Sequence, residues 1–380
     1  MRVQLVAKPS SSVTGTSRYA ENVRRGLEAA GVQVTVTAPE PFPPAPIRQI
    51  ARQFGLDAAA FFRSYPLRVK QTEADVIHLT TQTMGTLLLT QRFTQPVVVT
   101  ILDILPYLLR HDPQLNTLRH PLDALFYRLA LLGLKRANAL IAISQYTKRT
   151  LVEALHIPPE KIHVVYPAID LERFRPQPVP DSFYTRYGLR RDGCYVLYVG
   201  SDDPRKNLPT LVRALARLRQ TLPEVQLLKV GAPHFTDQRR ELMRLIEQLQ
   251  LQSAVHFFDE VRDDDLPSFY NAASVLAMPS LYEGFGYPVV EAMACGTPVV
   301  AARAASLAEI VGDLETTVWP ATHEAMTQAM VAALNYEIKE RTSRPAVKWA
   351  RAFQLESAPH QVADVYRLQI EGGALCVSHS

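Results

Sequence analysis

The chain has 380 residues, 47% hydrophobic and 21% charged, a composition typical of globular proteins long enough for two domains. Its net charge of +4 is uneven, because residues 1–180 carry 21 basic and 13 acidic side chains (+8) and the remainder 20 and 24 (−4). No apolar run reaches the roughly 20 residues that span a bilayer, and three scattered cysteines predict neither a disulfide framework nor a metal site, so we expect a cytoplasmic protein.

The first half of the chain alternates apolar strands with amphipathic helices. Strands are predicted at Val3–Ala7, Val32–Thr37, Val76–Leu79, Val97–Ile101, Ala139–Ile143 and Ile162–Val165. Helices are predicted notably at Ser17–Ala30 and Leu122–Arg136. Such alternation is typical of a parallel, doubly wound sheet with helices on both faces.

A proline-rich connector, Phe174–Pro180, separates this half from a second one with the same alternation. Strands are predicted there at Tyr195–Val199, Gln226–Val230, Val255–Phe257, Val275–Met278 and Pro298–Ala301, and helices at Leu208–Thr221 and Asp237–Leu249. We therefore expect α/β architecture with domains at 1–175 and 181–352, a helix over 353–370 that packs back on the first domain, and a tail at 371–380. Two such domains facing each other would form a central cleft.

The segment between the last two predicted strands holds the most informative motif. Glu283 and Glu291 are eight positions apart, with Gly284 and Gly286 between them and a helix predicted from about Pro288. Glycines let a ligand approach the main chain closely, and the first N–H groups of a helix attract anions or hydroxyls. Loops that follow the strands of an open α/β sheet are where such sheets bind ligands. The motif therefore indicates a ligand site.

The whole chain, from about residue 1 to about residue 370, resembles the GT-B glycosyltransferases of family 4, a family of retaining enzymes built from two Rossmann-like domains. The most specific match is the family's paired-glutamate element, Glu283 to Glu291 with Gly284-Phe285-Gly286 between. Supporting matches, in the family's order, are Ser144–Lys148, Lys161–Asp170, Tyr198–Gly200 and Arg205–Leu208.

The resemblance implies that a nucleotide-diphosphate sugar binds here and donates its hexose with retained configuration. Glu291 would accept hydrogen bonds from the ribose hydroxyls, and Glu283 would lie near the donor sugar. Lys206, with Arg205, would neutralise the leaving diphosphate, so that no metal or other cofactor is required. The implied catalytic residues are Glu283, Lys206, Arg205 and Asp103. The implied donor-binding residues are Gly15, Thr16, Gly200, Ser201, Arg205, Lys206, Glu283, Gly284, Phe285, Gly286, Tyr287, Pro288 and Glu291.

Three positions depart from the family pattern. Gly200 is followed by Ser201 where the family usually has arginine, and Arg205 is a candidate for the missing charge. Leu102 stands where many relatives carry a histidine close to the donor sugar, so that role is absent or moved. The segment Phe258-Asp259-Glu260 stands where a glycine is common in the family. The histidines considered as replacements for the one missing at 102 are His78, His111 and His120.

The acceptor implied by the resemblance is a glycan or a lipid-linked molecule, and the donor sugar is mannose or glucose, from GDP-mannose or UDP-glucose. Segments Pro46–Lys70 and Leu122–Arg136 mix apolar and basic residues, which fits either an anionic membrane surface or a helix packed on its own sheet. Nothing in the sequence indicates nucleic-acid binding. The alternatives are a nucleotide-sugar-binding protein with little or no transfer, and an epimerase or phosphorylase of the same architecture.

Overall fold

The computed structural model describes residues 1–8, 15–40, 58–118, 120–233, 236–312, 317–335, 344–354 and 357–377. The chain divides into two compact units, Met1–Ala168 with Leu355–Ser380, and Ile169–Gln354. The division falls upstream of the proline-rich connector, so that Phe174–Pro180 lies inside the second unit.

The first unit is built on a six-stranded parallel sheet. Its strands are β1 (Arg2–Val6), β2 (Gln33–Thr37), β3 (Val76–Leu79), β4 (Val97–Ile101), β5 (Ala139–Ala142) and β6 (Ile162–Val164). The spatial order β2-β1-β3-β4-β5-β6 places the reversal of strand order between β1 and β3. Strands β3, β4 and β5 are buried at every position, which explains why His78 and Thr100 are their only polar residues.

Helices cover both faces of this sheet, as the sequence pattern predicts. Those of the first unit are Gly15–Ala29, Ala58–Ser64, Leu87–Thr90, Leu105–Leu108, Pro121–Gly133, Gln145–Leu155 and Ser357–Val377. Gly15 and Thr16 belong to the first turn of their helix and not to the loop before it. The helix thus starts two residues before the predicted Ser17.

The last helix, Ser357–Val377, packs on the first unit and lies against the helix Gly15–Ala29. A Cβ atom added at Gly26 would meet Cγ of Pro359 at 2.0 Å, so the two backbones approach as closely as glycine allows. This helix starts later than position 353 and continues beyond 370. Gly372 does not end it, because glycine lowers helix stability by only about 1 kcal/mol.

A buried chain of hydrogen bonds joins this last helix to the sheet. The hydroxyl of Tyr366 is 2.6 Å from Nδ1 of His78, whose Nε2 is 2.7 Å from Oγ1 of Thr100, which in turn is 2.8 Å from the hydroxyl of Tyr19. Burial lowers the pKa of His78 to about 3, so its imidazole is neutral. His78 is thus engaged inside the first unit, a structural role in place of the compensating one considered from sequence.

The second unit contains another six-stranded parallel sheet. Its strands are β7 (Tyr195–Val199), β8 (Gln226–Val230), β9 (Val255–Phe258), β10 (Val275–Met278), β11 (Val299–Ala302) and β12 (Thr317–Val318). The order β12-β11-β10-β7-β8-β9 places the reversal between β7 and β10. The helices are Asp181–Tyr187, Leu208–Leu218, Thr236–Gln248, Leu266–Ala272, Tyr287–Ala294, Leu307–Ile310, His323–Leu334 and residues 344–350.

Candidate functional site

Two loops meet at the strand-order reversal of the second sheet, where open α/β sheets bind their ligands. One follows β7 and the other follows β10. Main-chain N–H of Leu281 donates to the carbonyl of Arg205 at 2.8 Å, and the side-chain amide of Asn207 donates to the carbonyl of Pro279 at 3.2 Å. The two loops lie side by side because β7 and β10 are neighbours in the sheet and because these two hydrogen bonds join the loops.

The loop after β7 turns sharply at Gly200. This residue has φ 151°, and a Cβ atom there would lie 2.9 Å from the hydroxyl of Tyr198, which donates to the carbonyl of Ser201 at 3.0 Å. A short 3₁₀ turn, Pro204–Lys206, follows and is capped by Asp203, whose Oδ1 accepts from the main-chain N–H of Arg205 at 3.1 Å. The turn sets two consecutive basic side chains at the end of the strand.

Glu283 binds both of these cations. Its Oε1 is 2.5 Å from Nζ of Lys206 and accepts from the hydroxyl of Ser280 at 2.9 Å, while its Oε2 is 3.3 Å from a guanidinium nitrogen of Arg205. The same guanidinium donates to the carbonyl of Tyr282 at 3.0 Å. Glu283 is only 5% exposed. The paired-glutamate motif and the basic pair therefore form one charged cluster.

The cluster perturbs the pKa values of its members. Burial is the largest influence on Glu283 and would raise its pKa, but Lys206 and Arg205 together outweigh burial and hold the pKa below its ordinary value. Burial lowers the pKa of Lys206, against the opposing effect of Glu283. The carboxylate is thus held ionised and is a weak proton acceptor.

The loop after β10 is shaped by Ser306 and by one glycine. The hydroxyl of Ser306 lies 2.8 and 2.9 Å from the carbonyl oxygens of Glu283 and Phe285. Gly286 has φ 119°, and a Cβ atom there would lie 2.6 Å from a methyl group of Leu307, so both its conformation and its surroundings require glycine. The helix Tyr287–Ala294 starts directly after it, and the main-chain N–H groups of Val289 and Val290 donate back to the carbonyl of Gly286 at 3.0 and 3.4 Å.

Glu291 lies one turn inside that helix and is 1% exposed. The hydroxyl of Tyr270 donates to its Oε2 at 2.5 Å. Tyr270 belongs to the helix Leu266–Ala272 and is itself completely buried. Glu283 and Glu291 are therefore held differently, the first by cations and the second by a phenol.

A second buried ion cluster lies at the carboxyl ends of β7, β8 and β9. Lys229 is completely buried, and its Nζ is 2.5 Å from Oδ1 of Asp202. Arg239 pairs with the other oxygen of Asp202 and with Asp259, 2.7 Å away. Burial lowers the pKa of Lys229. This cluster anchors the loop that follows Gly200, because Asp202 belongs to that loop. It also explains one departure from the family pattern, since Asp259 forms an ion pair with Arg239.

The second unit contains all the predicted residues from Gly200 to Glu291, and within it Arg205, Lys206 and Glu283 are in direct contact, while the other predicted residues belong to the first unit. There, Asp103 Oδ1 accepts at 3.1 Å from the main-chain N–H of Leu105, the first residue of a short helix that Ile104 precedes. His120 caps another helix, since its Nδ1 accepts from Leu122 at 3.2 Å, and His111 is exposed. Residues 9–14, before Gly15, lie outside the described residues.

Sequence reasoning missed Tyr270, Ser306 and the pair of Asp202 with Lys229. Tyr270 and Ser306 contact Glu291 and Phe285 from 21 residues away along the chain, and Lys229 is 27 residues from Asp202, so no local motif marks these contacts. Ser280 could have been found, because it lies within the motif, three residues before Glu283. Among the described residues, no group of three or more His, Cys, Asp or Glu side chains is placed to hold a metal ion.

Two family models match the chain in consecutive ranges, the first lying mostly in the first unit and the second wholly in the second unit. Glycosyltransferase Family 4 matches residues 13–173, and Glycosyl transferases group 1 matches residues 185–348. The second range contains the charged cluster and both glutamates.

Curated relatives are similar over part of their length. The O-antigen chain mannosyltransferase B of Escherichia coli is 29% identical over 66% of this chain and 66% of its own. The D-inositol 3-phosphate glycosyltransferase of Nocardioides sp. is 32% identical over 61% of this chain and 54% of its own. The matches thus span about half to two thirds of the curated relatives.

Solved structures share the fold over almost the whole chain. Sucrose-phosphate synthase from Thermosynechococcus elongatus has a TM-score of 0.76 at 24% identity and covers 98% of this chain and 99% of its own. WaaG, a glycosyltransferase involved in lipopolysaccharide biosynthesis, has a TM-score of 0.69 at 19% identity, with 96% and 99% covered. With two doubly wound units and both family models matched, the chain belongs to glycosyltransferase family 4 and has the GT-B fold.

Proposed function

We propose that this protein is a retaining glycosyltransferase that moves a hexose from a nucleotide-diphosphate sugar to a hydroxyl group of a glycan or lipid-linked acceptor. The observation that carries the proposal is the contact of Glu283 with Lys206 and Arg205 at the strand-order reversal of the second sheet. Two cations held in fixed positions at such a point suit a diphosphate. Family membership supplies the class of reaction.

Lys206 and Arg205 act on the leaving group in this proposal. The bond between the anomeric carbon and the diphosphate oxygen breaks, its electron pair stays on the diphosphate, and the acceptor oxygen forms the new bond on the same face. The acceptor's proton passes to the departing phosphate oxygen. Because the cations are already in place, they stabilise the developing negative charge without reorganisation.

Glu283 is an unfavourable nucleophile in this arrangement. Both of its oxygens are engaged, one by Lys206 and Ser280 and the other by Arg205, and its pKa is held below the ordinary value. A carboxylate so engaged attacks carbon poorly. Its role in the proposal is to position the two cations and to contact the donor sugar.

The nature of the sugar is proposed from relatives. The similarity to a mannosyltransferase supports GDP-mannose, and the likeness of the fold to the Anabaena protein HepE in complex with UDP-glucose is compatible with UDP-glucose. Glu291 would bind the ribose of either donor, and Phe285 to Pro288 would surround the sugar. Gly15, Thr16 and Asp103 are proposed to act on the donor and acceptor from the first unit.

Association with an anionic membrane at the cytoplasmic face is part of the proposal for a lipid-linked acceptor. Three leucines on the helix Pro121–Gly133 are 42–52% exposed, namely Leu122, Leu125 and Leu132. Exposed basic residues lie on the same stretch, at Arg128, Lys135 and Arg136. By contrast, Phe61 packs against Phe126 with ring centroids 4.9 Å apart, so part of the aromatic segment contacts its own unit. Positions 41–57 lie outside the described residues.

The test is a panel of GDP-, UDP- and ADP-sugars with glycan and lipid-linked acceptors, in which the configuration of the product is read by NMR. We expect transfer with retained configuration, and a loss of about 10²–10³-fold in kcat for Lys206→Ala. The matched control is Lys348→Ala, an exposed lysine of the same unit. Binding without turnover across the panel would favour the alternative that Leu102 suggests, a nucleotide-sugar-binding protein, and epimerised donor would favour the epimerase.

A further inference from the structure

The phenol of Tyr270 is placed where it can control one carboxylate of the candidate site. We propose that Tyr270 is a positioning residue that aims Glu291 at the two ribose hydroxyls and thereby makes the site selective for ribonucleotides over deoxyribonucleotides. The inference rests on the proposed function, because it assumes that Glu291 meets the donor's ribose. The inference adds Tyr270 to the candidate site and adds a preference for ribonucleotides to the proposed donor binding.

The contact itself is short and shielded from water. The hydroxyl of Tyr270 donates to Oε2 of Glu291 at 2.5 Å, and the two residues are 0% and 1% exposed. Hydrogen bonds to an ionised carboxylate are about twice as strong as neutral ones, and burial strengthens them further. A carboxylate with one oxygen held in this way keeps a single orientation.

Tyr270 is itself held from several sides. Its carbonyl accepts from the hydroxyl of Thr297 at 2.7 Å, and its ring meets that of Phe174 edge to face with centroids 5.9 Å apart. The next residue, Asn271, accepts from the main-chain N–H of Gln177 at 3.0 Å and donates to the carbonyl of Arg175 at 3.1 Å. The helix that carries the phenol is thus fixed independently of Glu291.

This rigidity has a chemical consequence at the ribose. A carboxylate offers paired acceptors that match two adjacent hydroxyls, but the match depends on the rotation of the carboxylate about its last bond. With the phenol in place the rotation is set before the ligand arrives, so a ribose gains both bonds and a 2′-deoxyribose loses one. Without the phenol, the orientation must be acquired on binding, and the advantage of ribose over deoxyribose shrinks.

The experiment measures binding of UDP, GDP and ADP, each against its 2′-deoxy counterpart, by titration calorimetry. For the base that binds most tightly, we expect the native protein to prefer the ribonucleotide by about tenfold, as for a hydrogen bond to a charged group. Tyr270→Phe keeps the ring and removes the hydroxyl, and it should reduce that preference to about twofold, chiefly by weakening the ribonucleotide.

The control is Tyr195→Phe. Tyr195 is equally buried in the same unit, and its hydroxyl donates to the carbonyl of Arg190 at 2.9 Å, away from Glu291. It should lower thermal stability and leave the preference unchanged. Glu291→Gln is the second variant, in case Tyr270→Phe fails to fold, and it should bind both sugars alike.

The outcomes separate the inference from the function on which it rests. If no nucleoside diphosphate binds the native protein, the proposed function fails. If the native protein binds one but does not distinguish ribose from deoxyribose, or if Tyr270→Phe or Glu291→Gln retains the native preference, the proposed function stands and the role of Tyr270 is overturned.

Discussion

Lys206 and Glu283 form an ion pair whose two side chains are largely buried. Loss of Lys206 leaves Glu283 buried with Arg205, 3.3 Å away, as its remaining cationic partner, so we expect Lys206→Met to lower the free energy of unfolding by about 3 kcal/mol. The double variant Lys206→Met with Glu283→Gln should recover most of that loss, because no net charge is then buried at this pair. Urea unfolding of both variants measures the difference. A double variant as unstable as the single one would contradict this account of the pair.

The pair of Lys206 and Glu283 also predicts how the free energy of unfolding depends on pH. The folded-state pKa of Glu283 lies below its ordinary value of 4.5, so its ionisation stabilises the fold fully above about pH 4.5 and ceases to do so as the pH falls through the folded-state pKa. Within that window the unfolded chain binds more protons, and the free energy of unfolding rises with pH. We expect Glu283→Gln to flatten this slope. Equal slopes for the native protein and the variant, in denaturant titrations from pH 3 to pH 6, would count against it.

At the scale of elements, we expect replacement of glycine by alanine to have opposite effects on stability at two positions, one in the first helix and one in the last helix that packs on it. Gly26→Ala would place a methyl group 2.0 Å from Pro359 and push the last helix away from the first unit, so we expect a loss of about 1–3 kcal/mol in stability. Gly372→Ala meets nothing within 4 Å and should stabilise its helix by about 0.5–1 kcal/mol. Thermal unfolding of both variants is the measurement, and a neutral Gly26→Ala would mean that the helices can separate slightly at no cost.

The exposed face of the helix Pro121–Gly133 predicts salt-sensitive binding to anionic membranes. Replacement of Leu122, Leu125 and Leu132 by serine should weaken co-sedimentation with phosphatidylglycerol vesicles at least tenfold, by analogy with other interfacial helices. Leu222→Ser, an exposed leucine of the second unit, is the control. Native protein that stays in the supernatant at low salt would refute this surface. Within the described residues no helix is long and apolar enough to cross a membrane.

The strands of the sheets could be predicted because parallel sheets leave a local trace. Val76–Leu79 and Val97–Ile101 are short runs with one polar residue each, and both are strands with the predicted bounds. Strand β12 was missed, since its two residues, Thr317 and Val318, are too few to show a pattern. The last helix passes through Gly372 because the cost of one glycine in a helix, about 1 kcal/mol, is too small to end it.

The candidate site was predictable where its residues are neighbours in the chain. The loop with Glu283 and Gly286 and the turn with Arg205 and Lys206 are each visible as motifs. Their direct contact was not predictable from either motif, because it follows from strand order, which places β7 beside β10. Tyr270 could not be predicted at all, since a tyrosine in an amphipathic helix is usually a core residue.

At the scale of the whole molecule, the candidate donor site belongs to one unit. Glu283, Lys206 and Glu291 all lie within Ile169–Gln354. A nucleoside diphosphate at 100 times its dissociation constant should therefore add about 2.7 kcal/mol to the stability of that unit. We expect hydrogen exchange to slow in β7, β10 and the loops that follow them. Equal slowing throughout the first sheet would contradict the assignment of the nucleoside diphosphate chiefly to residues of the second unit.

Because the last helix belongs to the first unit, the first unit cannot complete its fold until the end of translation. Residues 169–354 are translated before Tyr366 and Pro359 exist, so the second unit can be finished first although it is encoded later. At about 5–20 residues per second, the nascent first unit waits about 10–40 s for its final helix. During that interval the apolar positions that this helix will cover, around Gly26 and His78, stay open to chaperones and to other nascent chains.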